Sequence, residues 1–459
     1  MKSFLFACAA AWSLFAFTGT GLAAETQASK KVMTLDDCIR MALKAAPELG
    51  EAQSDIELAS SKLDEASSYR FPQLEVTALA GPAPTADRSD IYPDVQTDRG
   101  FGFNKLTWFT STDATIIQPL YTFGKISENM KAATHGIEVD RSRKQQRANE
   151  IVQKVNEYYN GLLYAREMKE LVLEVQEILE GARKTAQKLL DQESDTVDQM
   201  DLYKLDAFSG MAAKYLEEAN KGESLALAAL RARMGMPSDA QLETGTERLV
   251  IVDVDIPPLE SYIESARQRR PEFHQIDEGL KARTALVEAA KAYYYPDIFL
   301  GGLFSWSYAD DRDRIKNPYI DDRFNHLTAG VALGARWKLD FGITGAKVAG
   351  ERAQYNRLLS TRDYADVNVP LQVKKYYLEL IEAKNSAEAM RRAYVNAKKW
   401  AVTAVANFDF GLGPAKDIFE ALQAYSTMRA DFFKSIYNYR IAAANLDYAT
   451  SEPLHIPAQ

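Results

Sequence analysis

Two stretches of the chain repeat one another without a gap. Residues 35–50 read LDDCIRMALKAAPELG, and residues 259–274 read LESYIESARQRRPEFH. The alignment continues at the same offset of 224 residues, so that ASSYRFPQL at 66–74 matches AKAYYYPDI at 290–298. The identical pairs are Leu35 and Leu259, Ala42 and Ala266, Pro47 and Pro271, Glu48 and Glu272, Ala66 and Ala290, Tyr69 and Tyr293, and Pro72 and Pro296. A repeat on this scale indicates two copies of one supersecondary unit.

Two further blocks extend the repeat along each copy. At an offset of 218, residues 123–165 match residues 341–383, and at an offset of 216 the Asp417 region matches the Asp201 region. We therefore expect a first repeat at 24–236, a linker at 237–257, a second repeat at 258–452 and a C-terminal tail at 453–459.

The N-terminal segment has the pattern of a Sec signal peptide. Lys2 precedes an apolar run from Phe4 to Phe17, and the small residues Gly21 and Ala23 favour cleavage after Ala23. We expect residues 1–23 to be removed and the mature chain to be exported. Cys38 is then the only cysteine left, so an internal disulfide is excluded.

The bulk composition excludes several classes of protein. The 459 residues are 46% hydrophobic, and the mean hydropathy is −0.30, which excludes a conventional polytopic helical membrane protein. No later stretch approaches the ~18–20 apolar residues that a membrane-spanning helix needs. The net charge of −9 disfavours nucleic acid as a partner.

Alternating apolar residues predict two strands in each copy, at about 72–85 and 106–121 and at about 296–308 and 326–341. The clearest alternation runs from Leu327 to Leu339. Trp108, Trp306, Tyr308 and Trp337 stand near predicted strand ends, as aromatic residues do in membrane barrels. A half-buried hairpin of a soluble protein would show the same alternation, but the strand length and the signal peptide favour a barrel.

Long helical segments follow the strands. The pattern predicts helices at about 125–190 and 343–408, each on the order of 100 Å long and carrying a coiled-coil-like apolar seam. Helices of this length form a rod or the wall of a tube. A single helix is also predicted over 35–68, with Thr34 as its N-cap, and Pro370 should kink the second long helix.

The sequence shows no pattern of an active site. His135, His274, His326 and His455 are scattered without metal-ligand spacing. A nucleophile elbow and a phosphate-binding loop are both missing from the sequence. We therefore expect no enzymatic activity and no cofactor.

Several motifs, in order, resemble the TolC-type outer-membrane efflux proteins. They are the first-helix segment 35–49, the strand entry 71–74, the two strand-to-helix returns at 118–125 and 339–342, and the start of the last helix at 417–421. Each motif alone is weak, but their order and duplication across the mature chain make the set specific.

The resemblance implies an α+β membrane protein with two helix–strand–strand–long helix–helix repeats per chain. Such chains form homotrimers, in which a twelve-stranded barrel in the lipid of the outer membrane continues into a periplasmic α-helical barrel. The implied function is a passive exit duct of a tripartite efflux or type I secretion system. Its partners would be a periplasmic adaptor (membrane fusion protein) and an inner-membrane RND, ABC or MFS pump. The alternative is a periplasmic coiled-coil adaptor or structural protein.

The resemblance also assigns candidate docking tips for the adaptor. The second tip spans 408–414 and presents Phe410, Gly411 and Leu412, where Gly411 could equally be a helix C-cap. The first tip, at 191–200, lacks glycine and is acidic, with Asp195 and Asp198.

Other residues are assigned to the duct itself. Asp417 and Glu420 match the acids that narrow the periplasmic entrance of such ducts, although Asp417 could also be an acid favoured by the helix dipole. Arg336 and Lys338, on the polar face of their predicted strand, should face the lumen.

Overall fold

The computed structural model of the chain describes residues 33–85, 106–193, 197–240, 242, 248–251, 255–312, 319 and 322–452. The predicted signal peptide at 1–23, the tail at 453–459 and the candidate tip residue Asp195 lie outside these residues.

The two copies contain the same elements in the same order. The first has helices α1 (Leu35–Ala45) and α2 (Pro47–Ser68), strands β1 (Gln73–Pro84) and β2 (Leu106–Tyr121), and helices α3 (Lys125–Asp191) and α4 (Gln199–Arg233). The second has α5 (Leu259–Arg269), α6 (Pro271–Lys291), a 3₁₀ turn (Ala292–Tyr294), β3 (Asp297–Ala309), β4 (His326–Arg336), α7 (Ile343–Asp409) and α8 (Ala415–Thr450).

The prediction of one helix over 35–68 is wrong, because the chain breaks before Pro47. Ala46 has ψ 116°, and Pro47 occupies the first turn of α2. Proline disfavours the helical conformation of the preceding residue but is well suited to a helix start. The second copy breaks in the same way at Arg270 and Pro271. The N-cap prediction is confirmed, since Thr34 forms a capping box with Asp37.

The second-copy hairpin is shorter than the predicted strand at 326–341. Strand β4 ends at Arg336, whose partner Asp297 is the first residue of β3. Beyond that point no strand residue remains to pair, and the Trp337 indole instead donates to the Tyr294 carbonyl at 3.1 Å. Lys338 therefore lies after the strand, and its placement on the strand's polar face was wrong.

The four strands form one antiparallel sheet in the order β1-β2-β3-β4. The register places Leu74 opposite Ile116, Ile116 opposite Gly302, and Gly302 opposite Val331. Strands β1 and β4 are the two edges, and among the described residues neither has a partner on its outer side.

Each hairpin returns to a long helix through a Phe–Gly pair. Phe123 and Gly124 have φ 50° and 98°, and Phe341 and Gly342 have φ 48° and 144°. Consecutive positive φ values turn the chain sharply, and glycine adopts them without steric cost. Helices α3 and α7 then run for 67 residues each, on the order of 100 Å. Pro370 lies inside α7, which continues through it.

The first part of α3 packs between α2 and α6, and its second part packs between α4 and α8. Gln53 of α2 and Gln275 of α6 bond to the first part, whereas Glu223 of α4 and Tyr425 of α8 bond to the second. Helix α7 follows α6 and α8 along its length. Within the described ranges, no helix combines the length and apolar character needed to cross a membrane.

Candidate functional site

One face of the sheet is apolar and exposed. The register brings together Leu74, Val76, Ala114, Ile116, Leu300, Phe304, Trp306, Leu327, Val331 and Leu333. Val331, in the middle of β4, is 76% exposed. A contiguous apolar surface of this kind is rare on a water-facing sheet and suits contact with lipid. The alternation predicted from the sequence is confirmed. The strand register shows in addition that the apolar residues of all four strands lie on one face.

The opposite face of the sheet carries a hydrogen-bonded polar chain. The Ser305 hydroxyl donates to the Asp113 carboxylate at 2.5 Å, and Ser305 Oγ lies 2.6 Å from His326 Nε2. Ser307 Oγ lies 2.7 Å from His326 Nδ1. Sequence reasoning missed this chain because Asp113 and Ser305 are 192 residues apart. The signal that could have found it is the position of these residues opposite one another on neighbouring strands.

The helices form a concave wall that continues this polar face. A cavity of about 1350 Å³ is lined by α2, α3, α6 and α7 together with Gln73, Pro119 and Asp297 of the polar face. A second cavity of about 730 Å³ is lined by α3, α4 and α8. Asp140 lines the first cavity and Tyr158 the second. Asp140 and Tyr158 are 18 residues apart, which is five helical turns, so both cavities lie on one side of α3. This side is here called the concave face.

The concave face carries charges of both signs around the first cavity. The charged residues that line the first cavity include Lys62, Glu65, Asp140, Arg143, Glu272, Arg283 and Arg357. Lys125, at the start of α3, donates to both carboxylate oxygens of Asp297 at 2.7 Å and lies 4.4 Å from the Tyr293 ring centroid. This ion pair joins the helical wall to the sheet.

Asp417 and Glu420 lie near the end of the wall, at the start of α8. Both are exposed on the first two turns of α8. Thr427 and Asp431 of α8 line the second cavity. Glu420 is seven residues before Thr427, and Asp417 is fourteen before Asp431, so near-whole numbers of turns put all four on one side. Lys416 Nζ lies 3.6 Å from Glu420, a partner that the sequence analysis overlooked.

The second tip ends α7 in a Schellman motif. Gly411 has φ 69°, its N–H donates to the Phe408 carbonyl at 2.9 Å, and the Leu412 N–H donates to the Asn407 carbonyl at 2.8 Å. Gly411 is therefore a helix-capping residue. The cap leaves the flanking side chains of Phe410 and Leu412 about four-fifths exposed, at 79% and 80%.

The first tip is built without glycine. Glu193 takes the left-handed conformation instead, with φ 50°, after α3 ends at Asp191. Asp198 is the N-cap of α4 and accepts a hydrogen bond from the Asp201 N–H at 2.9 Å. The structure thus gives Asp198 a capping role of its own.

Arg336 is the last residue of β4 and belongs to the polar face through its pairing with Asp297. Its guanidinium lies 5.2 Å from the Phe299 ring centroid, within cation–π range. Arg336 therefore lies on the sheet, whereas Lys338 lies in the segment that follows it.

A buried ionic cluster between α3 and α8 escaped the sequence analysis. Arg429 is only 5% exposed and pairs with Glu174, and it donates to the Tyr425 hydroxyl at 2.8 Å. That hydroxyl donates to Glu174 at 2.8 Å. Burial acts to raise the pKa of Glu174, but Tyr425 and Arg429 hold it below its usual value. An arginine within the apolar stripe of α8 was the available signal.

An exposed apolar sheet whose polar face opens into a long concave helical wall defines a class of protein: a membrane-inserted conduit with a helical extension. The model of the outer membrane efflux protein family matches residues 38–192 and 262–452. The chain belongs to this family, whose members are transport ducts rather than enzymes, and it functions as an outer-membrane exit duct for efflux. Family membership favours this function over the periplasmic coiled-coil alternative.

Solved structures share the fold. The outer-membrane channel OprN superposes with a TM-score of 0.75 at 16% identity, over 91% of this chain and 89% of that one. VceC from Vibrio cholerae gives 0.73 at 14% identity, over 92% and 97%. The open state of the Neisseria gonorrhoeae MtrE channel gives 0.74 at 14% identity, over 93% and 90%. Comparison with curated protein sequences found no match.

Proposed function

We propose that three copies of this chain close a twelve-stranded barrel in the outer membrane and continue as a periplasmic helical tunnel. The observation that carries the proposal is the open four-stranded sheet, which has an apolar face and two edges without a partner among the described residues. In lipid, each unpaired backbone group costs several kcal/mol, so the edges must pair with other chains.

The number three follows from the width of closed barrels. Two chains would supply eight strands, and the interior of an eight-stranded barrel is largely filled by side chains. Twelve strands leave room for a lumen. Three chains are therefore the smallest closed assembly of this sheet that can conduct substrates.

The edge of the helical wall supports the same assembly. Helix α7 presents a stripe of exposed apolar residues on its free side: Tyr364, Val367, Leu371 and Leu378. Their heptad-like spacing is that of a seam between packed helices. In the trimer this stripe packs against the next chain.

The duct works passively between an energised inner-membrane pump and the exterior, and a periplasmic adaptor joins the pump to the tunnel tips. Phe410 and Leu412 supply an exposed apolar contact at the second tip. The acidic first tip, with Asp195 and Asp198, supplies a charged one. The pump is of the RND, ABC or MFS class, and the assembly is a tripartite efflux or type I secretion system.

Asp417 and Glu420 form the gate at the tunnel entrance. Three chains bring six carboxylates towards the axis, which favours cations and raises the electrostatic cost of narrowing the pore. Lys416, 3.6 Å from Glu420, offsets part of that charge. Arg336, on the polar face, lines the barrel lumen, and Lys338 lies at its periplasmic rim.

The testing experiment has two stages. Detergent extraction of outer membranes should yield a heat-modifiable trimer on an unboiled gel, and a monomer released by salt alone would contradict the duct. The purified trimer then goes into planar bilayers. Asp417→Asn with Glu420→Gln should lower cation selectivity and also lower conductance, because the pore then narrows at a smaller electrostatic cost. Glu388→Gln is the control, because Glu388 lines a groove on the side away from the concave face.

A further inference from the structure

A groove of about 580 Å³ lies on the outer side of the chain, just below the apolar sheet face. The 3₁₀ turn and the first turns of α7 form it, through Lys291, Tyr294, Tyr295, Gly345, Arg352 and Asn356. The Trp337 indole donates to the Tyr294 carbonyl at 3.1 Å, so the groove adjoins the end of β4.

The groove opens away from the concave face. Arg357 of α7 lines the large concave cavity, whereas Arg352 lines the groove. Arg352 and Arg357 are five residues apart, which corresponds to a rotation of roughly 140° about the helix axis. The two side chains therefore project from opposite sides of α7. The groove therefore lies on the same side of the molecule as the apolar sheet face.

The surface around the groove has the character of a membrane boundary. Trp337, Leu339, Phe341 and Ile343, which follow β4, are all exposed, and Phe341 is fully so. The Tyr295 ring stacks on Phe123 with centroids 5.0 Å apart. Aromatic side chains of this kind occupy the headgroup level of bilayers, where an apolar ring meets a polar layer.

The charge of the groove is positive. Arg352 is exposed and makes no ion pair or hydrogen bond with the described residues, and Lys291 pairs with Glu288 at 2.6 Å. The Tyr294 hydroxyl lies close to α7, since a Cβ at Gly345 would be 3.4 Å from it. One unpaired guanidinium beside a tyrosine hydroxyl can bind a phosphate group.

We propose that this groove binds the headgroup of an anionic phospholipid from the periplasmic leaflet of the membrane that holds the sheet. Arg352 and Lys291 bind the phosphate, Tyr294 donates to it, and the acyl chains lie along the apolar sheet face. The bound lipid anchors the start of α7 at the bilayer surface. This site rests on the proposed insertion of the sheet into the outer membrane.

The test uses the full-length protein in nanodiscs that contain phosphatidylglycerol and phosphatidylethanolamine in equal amounts. Native mass spectrometry of the released oligomer should show phosphatidylglycerol enriched among the retained lipids. Arg352→Gln should lower that enrichment about fivefold, the effect of one charge near a bilayer surface. Arg352→Lys should keep most of it. Arg357→Gln, the matched control on the concave face, should leave it unchanged.

Two results would overturn the site. One is no enrichment of phosphatidylglycerol in the wild-type protein, as expected if the neighbouring chain covers the groove. The other is an equal loss in Arg352→Gln and Arg357→Gln. If Arg352→Gln fails to assemble, Gly345→Leu decides instead, because its side chain fills the groove without a change of charge and should also remove the lipid. A failure of the proposed duct is seen separately, as a protein that needs no detergent for release.

Discussion

Gly411 has a conformational role that can be separated from partner binding. Its φ of 69° is unfavourable for other residues, so Gly411→Ala should destabilise the second tip by about 1 kcal/mol. Leu412→Ser should leave thermal stability unchanged, because Leu412 is 80% exposed, and should weaken adaptor binding. Circular dichroism and adaptor titration measure the two effects. Unchanged binding in Leu412→Ser would remove this tip from the docking surface.

Arg429 should be important for stability. Arg429→Met leaves the Glu174 carboxylate and the Tyr425 hydroxyl without their buried cation, and we expect a loss of about 3 kcal/mol, at the low end for a broken buried pair because Glu174 is partly exposed. Arg183→Gln is the control, since Arg183 links α3 to Asp206 of α4 through an exposed pair worth under about 1 kcal/mol. Denaturant unfolding compares them, and equal losses would contradict the role of the cluster.

Glu167 should make stability depend on pH. It is 5% exposed, it accepts from the Leu249 N–H at 3.4 Å, and burial raises its pKa above the usual 4.5. The stability it contributes is present below pH 4.5 and is lost as the pH rises through the higher folded-state pKa. Glu167→Gln should remove that loss and stabilise the protein at neutral pH. The control is Glu177→Gln, because Glu177 is exposed. The prediction is refuted if the melting temperatures of Glu167→Gln and Glu177→Gln depend on pH in the same way.

Among elements, β4 gives the sharpest test of membrane insertion. Val331→Arg places a charge at the centre of the apolar face and should cost about 2–4 kcal/mol if that face meets lipid. Ala332→Arg places the same charge on the polar face, one position along, opposite Gly301. The amount of heat-modifiable protein in the outer-membrane fraction should fall only for Val331→Arg. Equal amounts for both variants would show that this face does not contact lipid.

The element boundaries show where sequence reasoning succeeded and where it failed. The Phe–Gly returns and the long helices could be predicted from the sequence, because φ preferences and apolar periodicity are local properties. The break at Pro47 was also local, but the apolar pattern continued across it and outweighed the proline signal. The end of β4 at Arg336 was not readable, because a strand ends where its partner does, and that partner begins at Asp297.

For the whole molecule, the apolar stripe on α7 should decide assembly. Val367→Glu places a carboxylate in the proposed seam between chains and should convert much of the detergent-extracted trimer to monomer on a native gel, because a buried unpaired charge is costly. Gln354→Glu adds the same charge on the concave face and should leave the trimer intact. A stable trimer in Val367→Glu would place the interface elsewhere.

The sequence by itself determined the duplication, the order of the elements, the alternating strands and the long helices, because these depend on residue spacing and turn chemistry. The candidate tip and gate residues came from the resemblance of its motifs to the efflux family. Only the tertiary structure decided which faces meet. The strand register placed the apolar stripes on one face and joined Asp113, Ser305 and His326 on the other. Helix packing buried Arg429 against Glu174 and opened the groove at Arg352. These sites join residues up to 255 positions apart, and such contacts are fixed by packing rather than by local pattern.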